Sequence, residues 1–190
     1  MSQFFWKERQ RHPLKILSPA LIIVDIQKYF CHPSGRAYLP GVEKILSNLQ
    51  ALMETFRRKS FPIVFTIHVS NSQRMKDWWN DDLEPHEAEP CLSLEGAIKI
   101  EKDTYDAFYN TKLEDVLRSY GVNQVFITGV RTHLCVETTA RSAFVRNFDV
   151  VVVYDACYER EDWHHFSSLK NLAHGFAIIA STEEVLCALR

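Results

Sequence analysis

The chain has 190 residues, 46% of them hydrophobic, enough for one substantial core but too few for two full domains, so a single domain over 1–190 is expected. Charge is mixed, 22 Lys and Arg against 24 Asp and Glu for a formal net of −2, with no long basic run, which excludes an electrostatic footprint for nucleic acid. Apolar stretches such as ALIIV and VVVVY are far too short to cross a bilayer and the polar start lacks a secretory apolar block, so a soluble, cytoplasmic protein without a membrane partner is expected.

Residues 1–19 read as an N-terminal extension, and its aromatic start MSQFFW is a candidate contact between subunits. Ala20 to Val24 is the first continuous apolar run, closed by Asp25-Ile26-Gln27. Val42, Ile45, Leu46, Leu49, Leu52, Met53 and Phe56 then follow helical spacing, and Pro62 to Ile67 is a second apolar run. The stretch from Asn71 to Pro90, with its acidic WWNDDLEPHEAEP and no sustained period, reads as a long loop over the site. Ala97 to Ile100 is a third run, leading to Lys102. Leu113, Val116, Leu117 and Tyr120 mark a helix ended by Gly121, and Gln124 to Thr128 is a fourth strand. Val136, Thr139, Ala140, Ala143 and Phe144 form a further helical stripe, before the runs Val150 to Tyr154 and Phe176 to Ala180.

Such continuous runs suit strands covered on both faces, and their alternation with helices implies right-handed crossovers. The expected fold class is a three-layer α/β/α architecture with a mostly parallel, Rossmann-like central sheet of about six strands. Five cysteines, Cys31, Cys91, Cys135, Cys157 and Cys187, make an odd number without a CxxC pair, which argues against a disulfide framework and a zinc ribbon.

Parallel sheets bind ligands beyond the carboxyl ends of their strands, where Asp25, Lys102 and Cys135 fall. A carboxylate, an ammonium and a thiol are the parts of an activated-thiol site. Taken singly, Asp25 reads equally as a helix cap, Lys102 as solvated surface and Cys135 as a small core hydrophobe.

The motifs D-x-Q at 25–27, K-x-x-Y-x-A-F at 102–108 and G-V-x-T-x-x-C-V-x-x-T-A-R at 129–141, followed by VVVVYDACYER, resemble the isochorismatase-like cysteine hydrolase superfamily, which includes nicotinamidases and carbamoyl-amide hydrolases. The resemblance runs from about Ala20 to the C-terminus and is weakest between Asn71 and Pro90. It implies a catalytic triad of Asp25, Lys102 and Cys135, an oxyanion hole made by the backbone N–H groups of Arg131 and Cys135, and a cis peptide between Val130 and Arg131. In that scheme Lys102 and a helix N-terminus favour the thiolate, while Asp25 shuttles the proton. Thr132 is a competing reading, because as a helix cap it would occupy the Cys135 N–H.

Metal-dependent nicotinamidases of the superfamily carry Asp-x-His after the second strand; this chain has Thr66-Ile67-His68 and no following His nearby, so no metal site and no cofactor are expected. Isochorismatases proper do not need the thiol. The expected activity is hydrolysis of a C–N bond in a small amide or ureido compound through a Cys135 thioester, with isochorismatase-type or nicotinamidase-type hydrolysis, or a non-catalytic binding role, as alternatives. Gln27, Phe30, His68, Phe108 and Arg131 are the candidate substrate contacts, with the loop tryptophans as further walls. Arg131 and Arg36 are candidates for a substrate carboxylate or for salt bridges. His164 and His165 are expected to face solvent or cap neighbours. The superfamily commonly assembles as dimers or tetramers, so a homo-oligomer is expected.

Overall fold

The computed structural model describes residues 5–190, with the side chain of Trp6 set aside. A six-stranded parallel sheet runs through it in the order β3-β2-β1-β4-β5-β6, formed by Pro19–Val24 (β1), Ile63–His68 (β2), Ile98–Lys102 (β3), Gln124–Val130 (β4), Asp149–Tyr158 (β5) and Ile178–Ala180 (β6). The six runs legible in the sequence are these six strands. Four extend further toward the site than their apolar runs: β2 to His68, β3 to Lys102, β4 to Val130 and β5 to Tyr158.

β1 shows why the fold has three layers. All six of its residues are buried; Ala20, Ile22 and Val24 pack on one face, Leu21 and Ile23 on the other. The period of two sends alternate side chains to opposite sides, so a continuous apolar strand requires cover on both. On the first face lie Leu113–Ser119 (α5), Glu137–Val145 (α6) and Asp162–Gly175 (α7), through Leu113, Leu117, Ala140, Ala143, Leu169 and Leu172. On the second lie Leu46–Arg58 (α3) and Thr182–Ala188 (α8), through Leu49, Leu52, Met53, Phe56 and Val185. Each such side chain taken from water contributes about 1.5–3 kcal/mol. Ser181 caps α8, its hydroxyl accepting from the Glu184 N–H while Glu184 returns a bond to the Ser181 N–H.

The extension is part of this core. Trp6–Arg11 forms α1, Phe5 is buried with its ring 6.5 Å from that of Phe166, and Gln124 accepts from the Leu17 N–H and donates to the Lys15 carbonyl. Phe5 therefore serves its own subunit; the rest of the expected contact at residues 1–4 lies outside the described residues. Among the described residues no helix is long and apolar enough to cross a membrane.

The stretch from Asn71 to Pro90 is more ordered than its sequence suggests. It contains the helix Gln73–Trp79 (α4), ended by Asn80 at φ 50°, and a 3-10 turn at Pro85–Ala88. Seven residues with Met75 as the one buried member are too short to print a helical stripe.

Candidate active site

The strand order reverses between β1 and β4, and the candidate residues gather at that switch point. Asp25 ends β1 at φ 53°, a left-handed conformation that Asp tolerates better than most residues. It caps no helix: Lys28–Cys31 (α2) is preceded by Gln27 and has no side-chain cap. Next to it Gly129, at φ 105°, lets β4 pass so close to β1 that a Cβ there would fall 2.1 Å from the Val24 carbonyl oxygen.

Lys102 joins the parts. Its ammonium is fully buried, 2.7 Å from Asp25 Oδ2, 3.5 Å from Cys135 Sγ and 3.2 Å from His68 Nδ1, and it donates to the Thr104 carbonyl at 2.9 Å. Thr66 Oγ1 donates to Asp25 Oδ1 at 2.7 Å, fixing the carboxylate, while Oδ2 faces the ammonium. Burial works against the charge of Lys102, but Asp25 and Cys135 outweigh it and raise its pKa, so the ammonium persists. Burial, with Lys102 beside it, lowers His68 below the usual range. A neutral imidazole fits its contacts, Nδ1 facing the ammonium and Nε2–H facing Asn71 Oδ1 at 2.8 Å.

Opposing influences act on the thiol. Burial pushes Cys135 up to about 12, Lys102 pulls it down and Asp25 pushes it up again. Burial thus favours the protonated thiol, while the ammonium keeps its charge. Cys135 sits in a wide helical turn, Thr132–Val136, in which the Val136 N–H reaches back to the Arg131 carbonyl, and α6 begins after it. Thr132 does not cap this turn; its hydroxyl meets His165 Nδ1 at 2.8 Å and its carbonyl accepts from Ser168. The peptide joining Val130 to Arg131 is cis.

A cavity of about 220 Å³ opens above the thiol, lined by Tyr29, Phe30, His68, Met75, Trp79 and Tyr105, with Asn71, Asp81, Arg36, Arg131, Leu134 and Cys135 among its other walls. Phe30, His68 and Arg131 thus stand where substrate contacts were expected, and Trp79 is one of the walls. Gln27 and Phe108 do not. Gln27 is buried behind His68, donating to its carbonyl at 2.8 Å and accepting from its N–H at 2.8 Å. Phe108 faces the core instead, its ring 5.9 Å from that of Phe148. Trp78 is 70% exposed.

Both guanidinium groups are already engaged. Arg131 forks onto Glu159 at 2.9 and 2.6 Å, and His133 Nδ1 adds a contact at 2.8 Å. Burial works against the Glu159 carboxylate, but His133 and Arg131 outweigh it and bring it down to about 2. Arg36 grips buried Glu87 at 3.0 and 2.7 Å, meets Asp81 at 2.8 Å and bonds the Asp82 carbonyl. Here too burial is overcome, chiefly by Arg36, and Glu87 falls to about 2. Tyr29 donates to Asp81 Oδ2 and Trp79 to the Tyr105 hydroxyl. His165 is half-buried on Thr132, not solvent-facing, and exposed His164 stacks on His133 with ring centroids 4.3 Å apart.

Sequence reasoning missed Thr66, Asn71, Tyr105, Glu87 and Glu159. Tyr105 stands within the K-x-x-Y motif and Glu159 within VVVVYDACYER, which flagged their segments without giving them a role; the other three carry no local signal. No three His, Cys, Asp or Glu side chains among the described residues converge on a point that would hold a metal ion. His68, with both ring nitrogens taken by Lys102 and Asn71, does not fit as a ligand.

Residues 19–184 match the isochorismatase domain family. The chain is 32% identical over 192 residues to nicotinamidase 3 of Arabidopsis thaliana, covering 95% of this chain and 92% of that protein. Among solved structures it resembles a cysteine hydrolase from Pseudomonas syringae pv. phaseolicola 1448A, at TM-score 0.85 and 25% identity over 93% of this chain and 94% of that one. It also resembles N-carbamoylsarcosine amidase from Thermoplasma acidophilum, at TM-score 0.77 and 26% identity, covering 88% and 98% respectively.

Proposed function

The chain belongs to the isochorismatase family, and on that premise we propose that it is a cysteine hydrolase cleaving the C–N bond of a small amide or carbamoyl compound through a thioester on Cys135. One observation carries the reading: a single buried ammonium touches both a carboxylate and a thiol at the floor of an aromatic cavity. When the substrate carbonyl arrives, Asp25 takes the Sγ proton and the sulfur attacks the carbonyl carbon. Lys102 holds the negative charge that remains, and the N–H groups of Arg131 and Cys135 receive the oxyanion. Asp25 then returns the proton to the nitrogen as the C–N bond breaks and amine leaves. Water, deprotonated by the same carboxylate, attacks the thioester carbon; the acid departs and the thiol is restored.

The charge around the cavity narrows the substrate class. Arg36 is spent on Glu87 and Asp81, Arg131 on Glu159, so a substrate carboxylate finds no free guanidinium. Aromatic walls at Phe30, Trp79 and Tyr105 favour a neutral, planar amide, and the likeness to the Arabidopsis nicotinamidase makes nicotinamide the first compound to try. The experiment is ammonia release from nicotinamide, benzamide and a set of ureido acids, with Cys135→Ala as control. Turnover of the neutral amides, lost in the variant, is the expected result. No release from any compound, or release that survives Cys135→Ala, overturns the activity; faster turnover of the ureido acids overturns the charge argument.

A further inference from the structure

Cys31 and Cys91 form a second thiol centre, separate from the one at Cys135. A short ladder brings them together: Gln27 pairs antiparallel with Pro90, the Cys91 N–H donates to the Ile26 carbonyl at 2.9 Å, and the Lys28 N–H donates to Glu89 at 2.8 Å. Cys31 stands one helical turn above Gln27, its N–H on the Gln27 carbonyl at 2.9 Å. Both side chains are half-buried against the same apolar cluster, and the ladder sets the two thiols beside each other. We propose that Cys31 and Cys91 are a modification site, a dithiol that a peroxide converts reversibly into a disulfide tying the end of the cavity cover to α2.

The two sulfurs are not equivalent. The neighbouring Cys31 thiol lowers the pKa of Cys91, burial opposes it, and Lys28 adds to the lowering; Cys91, with burial, raises Cys31. Cys91 is therefore the sulfur that attacks the peroxide. Its S–H and HO–OH become S–OH and water, the sulfur being oxidised and the O–O bond reduced. Cys31 then attacks the Cys91 sulfur, the S–O bond breaks, and the departing hydroxide takes the Cys31 proton as a second water. A thiol reductant reverses the bond. The consequence falls on the cavity, because α2 carries Tyr29 and Phe30, while the cover ending at Cys91 carries Met75, Trp79 and Asp81. Oxidation pins these walls to one another without using Cys135.

The test is to treat the full chain with one equivalent of hydrogen peroxide at neutral pH, block with N-ethylmaleimide and map peptides without reduction. Free thiols should fall from five to three, with Cys31 and Cys91 in one linked peptide pair and Cys135 still blocked by the reagent. Amide exchange over residues 71–90 should slow in the oxidised protein. Cys31→Ser should leave a Cys91 sulfenic acid that dimedone captures, whereas Cys91→Ser should lose no thiol under the same dose. Five thiols remaining, a link through Cys135 or Cys157, or oxidation of Cys135 ahead of Cys91 would each overturn the proposal. Because no outcome depends on an amide substrate, failure here is distinct from failure of the proposed hydrolysis.

Discussion

The turn that carries Cys135 and the segment that covers it are each held by a buried glutamate gripping an arginine, but the two grips differ in their surroundings. Glu159 follows directly on β5, and its carboxylate, fully shielded, takes Arg131 and His133 from the nucleophile's own turn. Glu87 belongs to the cover itself and reaches Arg36, whose side chain is 41% exposed, as part of a cluster with Asp81 near the surface. One grip belongs to the sheet; the other lies between two surface segments. Under the proposed mechanism the difference teaches a division of labour: the groups assigned to proton transfer rest on strand ends, while the cavity walls assigned to the substrate hang on contacts that solvent can compete for.

The rigid side should fail hardest. Cys135→Ala should remove roughly 10⁴-fold or more of turnover, since residues acting as one unit are lost together. Asp25→Asn should cost about 10²–10⁴-fold, as proton transfer to the amine and from water disappears. Both variants should keep the wild-type circular dichroism; an Asp25→Asn protein at wild-type rate would leave Asp25 without a catalytic role. Lys102→Ala should cost about 10²–10³-fold.

Iodoacetamide sharpens the same point without any substrate. With the thiol near 12, wild-type alkylation at Cys135 should be slow at neutral pH and climb steadily toward pH 11. Asp25→Asn should speed it, because that carboxylate raises the thiol, and Lys102→Ala should slow it. Fast alkylation already at neutral pH, unchanged up to pH 11, would show that the resting site holds a thiolate.

The two grips can then be broken one at a time. Glu159→Gln should lower kcat about 10–100-fold with KM little changed, since a small shift of the nucleophile's turn spoils alignment. Arg36→Ala should raise KM about tenfold and leave kcat within about threefold, because it loosens walls that only bind. If both variants moved kcat alone, the division would be wrong. The smallest effect is on acid stability. Both glutamates titrate near 2 in the folded chain against 4.5 ordinarily, so their stabilisation is complete above about pH 4.5 and is lost as pH falls toward 2. Glu87→Gln and Glu159→Gln should each flatten the fall of Tm across that window, measured by calorimetry.

Much of this was legible in the chain, and what was not has physical reasons. Continuous apolar runs announced all six strands, and a parallel sheet collects strand ends, so Asp25, Lys102 and Cys135 could be grouped before any contact was known. Helix α4 escaped because a seven-residue helix on a surface segment buries Met75 and little else. Thr66 looks like any β-branched strand residue until its hydroxyl is seen against Asp25. Arg36 and Glu87 lie 51 positions apart, and no local pattern pairs them. The pull of Lys102 on the thiol was visible in the sequence as a charge, whereas the opposing burial of the sulfur is a property of the assembled core.

The place of β1 between β2 and β4 also governs how the molecule comes to be built. β1, β2 and β3 emerge in order and can pair as they do, but the other edge of β1 stays open until Val24 meets Gly129, about a hundred residues later along the chain. Non-local parallel pairing of this kind is slow to form, and until it forms β1 offers an unpaired apolar edge to any neighbour. Growing chains thus have Asp25 and Lys102 in hand well before the thiol is made. The site is completed by the same event that closes the sheet, so a chain that has not finished folding lacks the assembled set of Asp25, Lys102 and Cys135.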